Sequence, residues 1–346
     1  MGEPEISHRD GPVGVGYRMP AEWAQHSRTW MCWPCRLEAW NGIDGLQRAK
    51  QATARVAQAI AQFEPVVMAA RPEELSEARQ MCGPKIQIFE IAIDDSWARD
   101  SGPSFLSGDG YAGVAWRFNA WGSKYETYAD DGRFASRVLE HNGARIFSAP
   151  LVCEGGAIHT DGEGTLLTTE QCLLNANRNP DRTRKEIEST LAAYTGTKQI
   201  LWVPGHFSDE ETDGHIDNIA CFAAPGRVIL GVQPQKSHPD FEAVAMAKQS
   251  LAQMRDAHGR PLEIVEMVQP HRLRSDWRGR PLAASYVNFY LANDGLVMPA
   301  FDDPADSDAR AILAQCFPGR KIAQVDVNDI VQGGGGIHCI TQQEPA

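Results

Sequence analysis

Near the end of the chain four consecutive glycines, Gly333 to Gly336, run into Ile337, His338, Cys339 and Ile340. Glycine lets a backbone pass close to a ligand, so a glycine run that delivers a cysteine reads as the approach to a reacting centre, with Cys339 as nucleophile. Two plainer readings compete. Most free cysteines are small buried hydrophobes, and glycine-rich loops also cradle phosphates. Phosphate loops feed a helix, whereas Ile337 to Thr341 alternates in the manner of a strand.

Other chemistry-bearing residues lie in short polar runs far apart in sequence. They are Trp97-Ala98-Arg99-Asp100-Ser101-Gly102-Pro103, Glu154-Gly155-Gly156, Asp213-Gly214-His215-Ile216-Asp217-Asn218 and Ala284-Ser285-Tyr286. Each alone has a plain explanation: Asp100 caps a turn before Pro103, Glu154 lies on the surface, and the DGHID run is a solvated bend. Cys32 and Cys35 form a CxxC pair, but with no second CxxC and no HxxxH the spacing supports neither a zinc site nor a redox pair.

The elements needed to bring such residues together follow a rhythm of two strands, a helix and a third strand. Its period is roughly 50 to 70 residues, longer than common solenoid repeats. The expected units are strands 104–106 and 111–118, helix 131–141 and strand 144–147; then 156–159, 165–169, 182–194 and 199–203; then 216–222, 228–232, 241–258 and 262–267; and finally 286–292, 296–300, 305–316 and 321–327. A partial fifth unit joins the two ends of the chain. Its C-terminal strand starts at Ile337 and is completed by strand 28–33, helix 44–63 and strand 65–70, followed by a further helix 73–81 and strand 86–93. Five such units imply a closed ring in one α/β domain spanning 1–346, and in a ring the starts of the first strands face one another. Asp100, Glu154, His215, Asp217 and Cys339 all sit at such starts.

Composition narrows the class. The 346 residues are 42% hydrophobic and 23% charged, which is ordinary for a globular protein. The net charge of −12 argues against a nucleic-acid partner. No apolar run is long enough to span a bilayer, so no membrane association is expected. Eight dispersed cysteines and a polar, acidic N-terminus without a secretory pattern point to a reducing, cytoplasmic setting. A homo-oligomer is compatible with all of this.

The motifs WARDSGP, FNAWG, EGG with DGEGT, EETDGHIDN, AASYVNFY and GGGGIHCITQQ resemble those of the agmatine deiminases, within the wider family of guanidino-group-modifying enzymes. The resemblance runs from about Gly16 to the C-terminus. It implies a five-bladed, pseudo-symmetric α/β propeller, the pentein fold, which agrees with the repeats. It also implies hydrolysis of agmatine to N-carbamoylputrescine and ammonia through an amidino-cysteine intermediate, a step of putrescine and wider polyamine biosynthesis.

On that resemblance Cys339 is the nucleophile, His215 the general acid and base, and Glu154 the catalytic glutamate. Asp100 and Asp217 hold the guanidinium. Trp97 lines the pocket, with Trp121 a second candidate. No metal and no cofactor are implied, and the expected partner is a small cationic guanidino compound. One departure stands out: family members usually carry asparagine where this chain has Gly336. Rival readings are a deiminase of free or peptidyl arginine, a cysteine protease, and a propeller that binds without catalysis.

Overall fold

Alanine-rich segments with apolar residues three and four apart become helices, and short apolar runs become strands, in the computed structural model, which describes residues 11–272 and 274–346. The acidic N-terminal stretch, residues 1–10, lies outside the described residues. The chain opens with β1 (His26–Cys32), α1 (Gly42–Ile60), β2 (Val66–Ala70), α2 (Leu75–Cys82) and β3 (Ile86–Glu90). Next come β4 (Ser104–Leu106), β5 (Ala112–Arg117), α3 (Asp131–His141) and β6 (Arg145–Val152). The same order recurs in β7 (His159–Thr160), β8 (Thr165–Thr169), α4 (Arg184–Thr195) and β9 (Gln199–Val203). It recurs again in β10 (Ala220–Ala224), β11 (Arg227–Val232), α5 (Phe241–Leu251) and β12 (Glu263–Val268). The last full unit is β13 (Tyr290–Ala292), β14 (Gly295–Ala300), α6 (Asp306–Cys316) and β15 (Lys321–Asp326), and β16 (Thr341–Pro345) closes the chain.

These strands form five separate sheets: β4-β5-β6, β7-β8-β9, β10-β11-β12, β13-β14-β15 and the four-stranded β16-β1-β2-β3. Within each three-stranded sheet the first pair is antiparallel and the second, joined through a helix, is parallel. The fourth strand of the remaining sheet is β3. There β16 pairs antiparallel with β1, with Met31 opposite Thr341, and β1 pairs parallel with β2, with Thr29 opposite Val66. Helices bury the faces their periodicity marks: α1 turns Leu46, Ala49, Val56 and Ile60 inward. A capping box between Thr183 and Glu186 fixes the start of α4. Among the described residues no helix is long and apolar enough to cross a membrane.

Several expected boundaries shift, all at the same place in the unit. Strands anticipated from Gly156, Ile216, Tyr286 and Ile337 begin later, at His159, Ala220, Tyr290 and Thr341. Short helical turns or bends precede them, including Ala98–Ser101, Gly155–Ala157 and Ile216–Asn218. Side chains take backbone N–H groups there that a ladder would otherwise use. Thr212 accepts from His215 N at 3.1 Å, Asp100 from Gly156 N at 2.9 Å, Ser285 from Val287 N at 3.1 Å, and Asn288 from His338 N at 2.8 Å.

Two other elements are shorter than expected. The helix anticipated to reach His258 stops at Leu251, because Asp256 Oδ1 accepts from the N–H groups of His258 and Arg260 and closes a tight turn. The strand anticipated to Ile93 stops at Glu90, and the chain then bends so that Asp94 N–H meets Asp131 Oδ1 at 2.8 Å.

Candidate active site

The five turns carry the chemistry-bearing residues into one buried centre. Asp100 lies on the turn Ala98–Ser101, Glu154 just before Gly155–Ala157, and Asp217 within Ile216–Asn218, which His215 precedes. Cys339 lies on the bend before β16. All five are buried, His215 and Glu154 completely.

The distances tie them into one set. Cys339 Sγ is 3.4 Å from Asp217 Oδ2. His215 sits between two carboxylates, with Nδ1 3.7 Å from Asp100 Oδ1 and Nε2 3.8 Å from Glu154 Oε2. Among the described residues neither ring nitrogen has a hydrogen-bond partner, and Asp217 Oδ1 also lacks one. A polar group left unpaired in a dry interior costs about 1–3 kcal/mol, so this centre has donors and acceptors ready for a polar ligand. Gly156 packs at its heart: a β-carbon there would lie 2.6 Å from His215 Nδ1, 2.8 Å from Asp100 Oδ1 and 2.9 Å from Asp217 Oδ2. Only glycine fits.

The glycine run is roofed residue by residue. A β-carbon on Gly333 would meet the Trp40 ring, and one on Gly334 the Glu211 side chain. On Gly335 it would lie 2.5 Å from the Trp97 ring and 3.0 Å from Cys339 Sγ, and on Gly336 2.5 Å from Asn288 Oδ1. The two tryptophans therefore differ. Trp97 backs the glycine run, stacks on Trp40 at 5.5 Å and sends its N–H to Asp95 at 3.0 Å. Trp121 instead donates to Asp100 Oδ2 at 2.8 Å.

Charge in the centre is strongly organised. Burial pushes the Cys339 thiol well up, and the Asp217 and Asp100 carboxylates push it further; N–H groups of Gly336 and Asn288 oppose them. Burial also raises Asp100, aided by the charges of Asp217 and Glu154 against the pull of His215 and Trp121. Burial opposes the charged forms of the remaining three, but partners win. His215 is raised by Asp100, Cys172 and Glu154; Glu154 is lowered by Arg178 and His215; Asp217 is lowered by His338. The centre therefore holds a neutral thiol beside an imidazolium and ionised Glu154 and Asp217.

Several residues of the site escaped the sequence reading. Arg178 Nε donates to Glu154 Oε1 at 2.6 Å, and only an asparagine-rich turn marks that stretch of sequence. His338 bridges two carboxylates, with Nδ1 2.9 Å from Asp217 Oδ2 and Nε2 2.8 Å from Glu22 Oε1. With an ionised acceptor on each nitrogen, both must carry protons. Arg99 Nη1 also donates to Glu22, at 3.2 Å. Adjacency to Asp100 and Cys339 was the available signal for Arg99 and His338. Asn288 touches Cys339 Sγ through Nδ2 at 3.1 Å.

Among the described residues one trio has metal-ligand atoms clustered within 4.8 Å: Glu154, Cys172 and His215. The Arg178 guanidinium occupies the other oxygen of Glu154, so a dication there would face a fixed positive charge.

Known proteins are similar to this chain along nearly its whole length. The agmatine deiminase of Ectopseudomonas mendocina is 42% identical over 359 residues, covering 97% of each chain. That of Pseudomonas aeruginosa strain UCBPP-PA14 is 43% identical with the same coverage. Among solved structures, the agmatine deiminase of Enterococcus faecalis superposes with a TM-score of 0.93 at 36% identity over 97% of each chain. A cysteine-to-serine agmatine deiminase from C. jejuni, solved with substrate bound, superposes with a TM-score of 0.85 at 25% identity, covering 95% of this chain and 96% of its own. Residues 18–345 match the family described as Porphyromonas-type peptidyl-arginine deiminase, and with agmatine deiminases this similar along the whole chain, the protein belongs to that family.

Proposed function

We propose that the protein hydrolyses agmatine to N-carbamoylputrescine and ammonia, with Cys339 as nucleophile. The observation that carries this is the convergence of Asp100, Glu154, His215, Asp217 and Cys339 in one buried centre whose His215 nitrogens and Asp217 Oδ1 lack hydrogen-bond partners among the described residues. A guanidinium is a flat cation with paired N–H donors that match carboxylates. Delocalisation makes its carbon a poor electrophile, so the attack calls for a thiolate.

Asp100 and Asp217 hold the cation. Cys339 gives its proton to solvent as the positive charge enters, and the thiolate attacks the guanidinium carbon. His215 protonates the departing nitrogen, the C–N bond breaks, and ammonia leaves behind an amidino thioether on Cys339. His215 then takes a proton from water, which adds to the same carbon. The C–S bond breaks and the ureido product departs. Glu154, held by Arg178, keeps His215 charged and oriented.

Burial of the thiol and of His215 supports a small substrate over a peptidyl arginine. A protease reading would require an oxyanion hole and no paired carboxylates. Contacts between the corner turns of neighbouring units support reading the five sheets as blades of a five-bladed pentein propeller in one domain. Eight unpaired cysteines support a cytoplasmic setting, and the product places the enzyme in putrescine formation. Exposed Leu37, Ile43 and Trp277 are compatible with a homo-oligomer.

The deciding experiment incubates the protein with agmatine, free arginine and an arginine peptide and measures ureido product. Agmatine is expected to be preferred, and Cys339→Ser to abolish turnover while still binding agmatine. Equal turnover of the peptide, or an active Cys339→Ser variant, would overturn the reading.

A further inference from the structure

Resting on that reading of the reaction, we propose that Asn288 is a catalytic hydrogen-bond donor to the Cys339 thiolate, and that Gly336 lacks a side chain so that Asn288 can occupy this place. The orientation of the amide is fixed from its oxygen end. Oδ1 accepts from the backbone N–H of His338 at 2.8 Å and of Cys339 at 3.4 Å. An amide nitrogen cannot accept from those donors, so Nδ2 must point the other way. There it lies 3.1 Å from Cys339 Sγ and 3.0 Å from Asn218 Oδ1, with the Asp217 carbonyl a longer third acceptor at 3.4 Å. The side chain is buried, 1% exposed, on the bend before β13.

The other polar side chain in hydrogen-bond contact with Sγ has the wrong sign for an anion. Asp217 Oδ2, 3.4 Å away, accepts from the thiol and repels the thiolate. When Cys339 ionises, and again when the C–S bond breaks and the sulfur leaves, Asn288 keeps an N–H aimed at the charge. Such a donor is fixed beforehand and needs no reorganisation during the reaction. Gly336 makes the fit possible. A β-carbon there would come 2.5 Å from Asn288 Oδ1, closer than real contacts, and 3.0 Å from its Cγ, so the amide would have to shift away from its place beside the sulfur.

The test reads the thiol separately from turnover, in the full-length protein. Inactivation by iodoacetamide is followed against pH for wild type, Asn288→Ala and Asn288→Asp; the alanine removes the N–H without adding charge, and the aspartate keeps the shape but replaces the N–H with an anionic oxygen. In both variants the pH at which the thiol becomes reactive is expected to rise by about one to two units. The kcat on agmatine is expected to fall about 100-fold, by analogy with loss of one oxyanion donor. Agmatine affinity in a Cys339→Ser background should stay within about twofold when Asn288→Ala is added, as a donor to sulfur alone requires. Gly336→Ala should reproduce the shift, and the Asn288→Ala/Gly336→Ala pair should be no worse than either single change. An unchanged reactivity profile in a folded Asn288→Asp protein would overturn the proposal. So would loss of agmatine affinity in the Cys339→Ser background, which would place the role in substrate binding. Because alkylation does not depend on the substrate, a wrong substrate assignment would leave the thiol measurements standing.

Discussion

Cys339 rests as a neutral thiol because burial and the Asp217 and Asp100 carboxylates all oppose its ionisation. A bound guanidinium reverses the sign of that local field, so the substrate itself generates the nucleophile. The expected outcome is that a non-reactive guanidino compound lowers the pH at which the thiolate absorbs, measured by ultraviolet titration. A titration that does not move on binding would exclude substrate-assisted ionisation. Asp100 supplies a second check. Its carboxyl lies above the ordinary value of 3.8, chiefly through burial, while the Trp121 N–H pulls it down. As pH falls through that raised value Asp100 takes a proton and its hold on the cation is lost, so kcat/KM drops on the acid side. Trp121→Phe removes the opposing hydrogen bond and is expected to move that acid limb up by about one unit. An acid limb left in place would mean that another group controls it.

At the scale of elements, the strand, helix, strand rhythm was legible because apolar periodicity reports burial directly. The corners were not. Residues 155–157, 216–218 and 337–340 have strand-like sequence but turn: Asp100 and Asn288 capture N–H groups of the first and last from other parts of the chain, and Thr212 captures that of His215, just before the second. The Asp100 and Asn288 captures depend on residues 56 and 50 positions away, and periodicity cannot carry them. The site residues were reached through their shared place in the repeat, while Glu22 and Arg178 occupy no equivalent place and were missed; Asn288 sits at the corner before β13, but that corner was read at Ala284 to Tyr286 because the strand was expected to start there. The turn bearing Trp121 is a harder case still. Ala120, Trp121 and Ser123 all have positive φ, at 54°, 54° and 62°, a conformation that costs an L-residue about 1–2 kcal/mol. Asn119 holds it, accepting from Gly122 N at 2.9 Å and donating to Asn177 O at 2.9 Å, and Trp121 is thereby aimed at Asp100. Ser123 is exposed, so Ser123→Gly is expected to raise stability by up to about 1 kcal/mol with kcat unchanged. Chemical denaturation checks it; a lower midpoint would show that the serine side chain contributes more than its backbone costs.

For the whole molecule the decisive join is the sheet that pairs β16 with β1, bringing residues more than 300 positions apart into register. Its lock is Glu344, buried at 2% exposure. Oε2 accepts from Trp30 Nε1 at 2.6 Å and Asn142 Nδ2 at 2.7 Å, while Oε1 accepts from Ser27 Oγ at 3.1 Å and lies 3.5 Å from Arg28 Nε. One carboxylate thus ties β16 to β1 and to the residue that ends α3. Glu344→Ala would leave the buried Trp30 N–H without an acceptor and release the half-buried Asn142, a loss of about 1–3 kcal/mol. The effect reaches the chemistry because β16 begins two residues after Cys339, so a loosened strand moves the nucleophile against carboxylates held by other sheets. Turnover is therefore expected to fall more than agmatine affinity, since Asp100 and Asp217 stay where they are. Glu344→Gln keeps the shape and one acceptor but loses the charge, and should fall between the two in both urea midpoint and kcat. If Glu344→Ala unfolds at the wild-type midpoint, the join is held by the β16 ladder alone. If it unfolds early yet turns over normally, Cys339 is positioned by the Asn288 contacts and the glycine run, independently of the strand that follows.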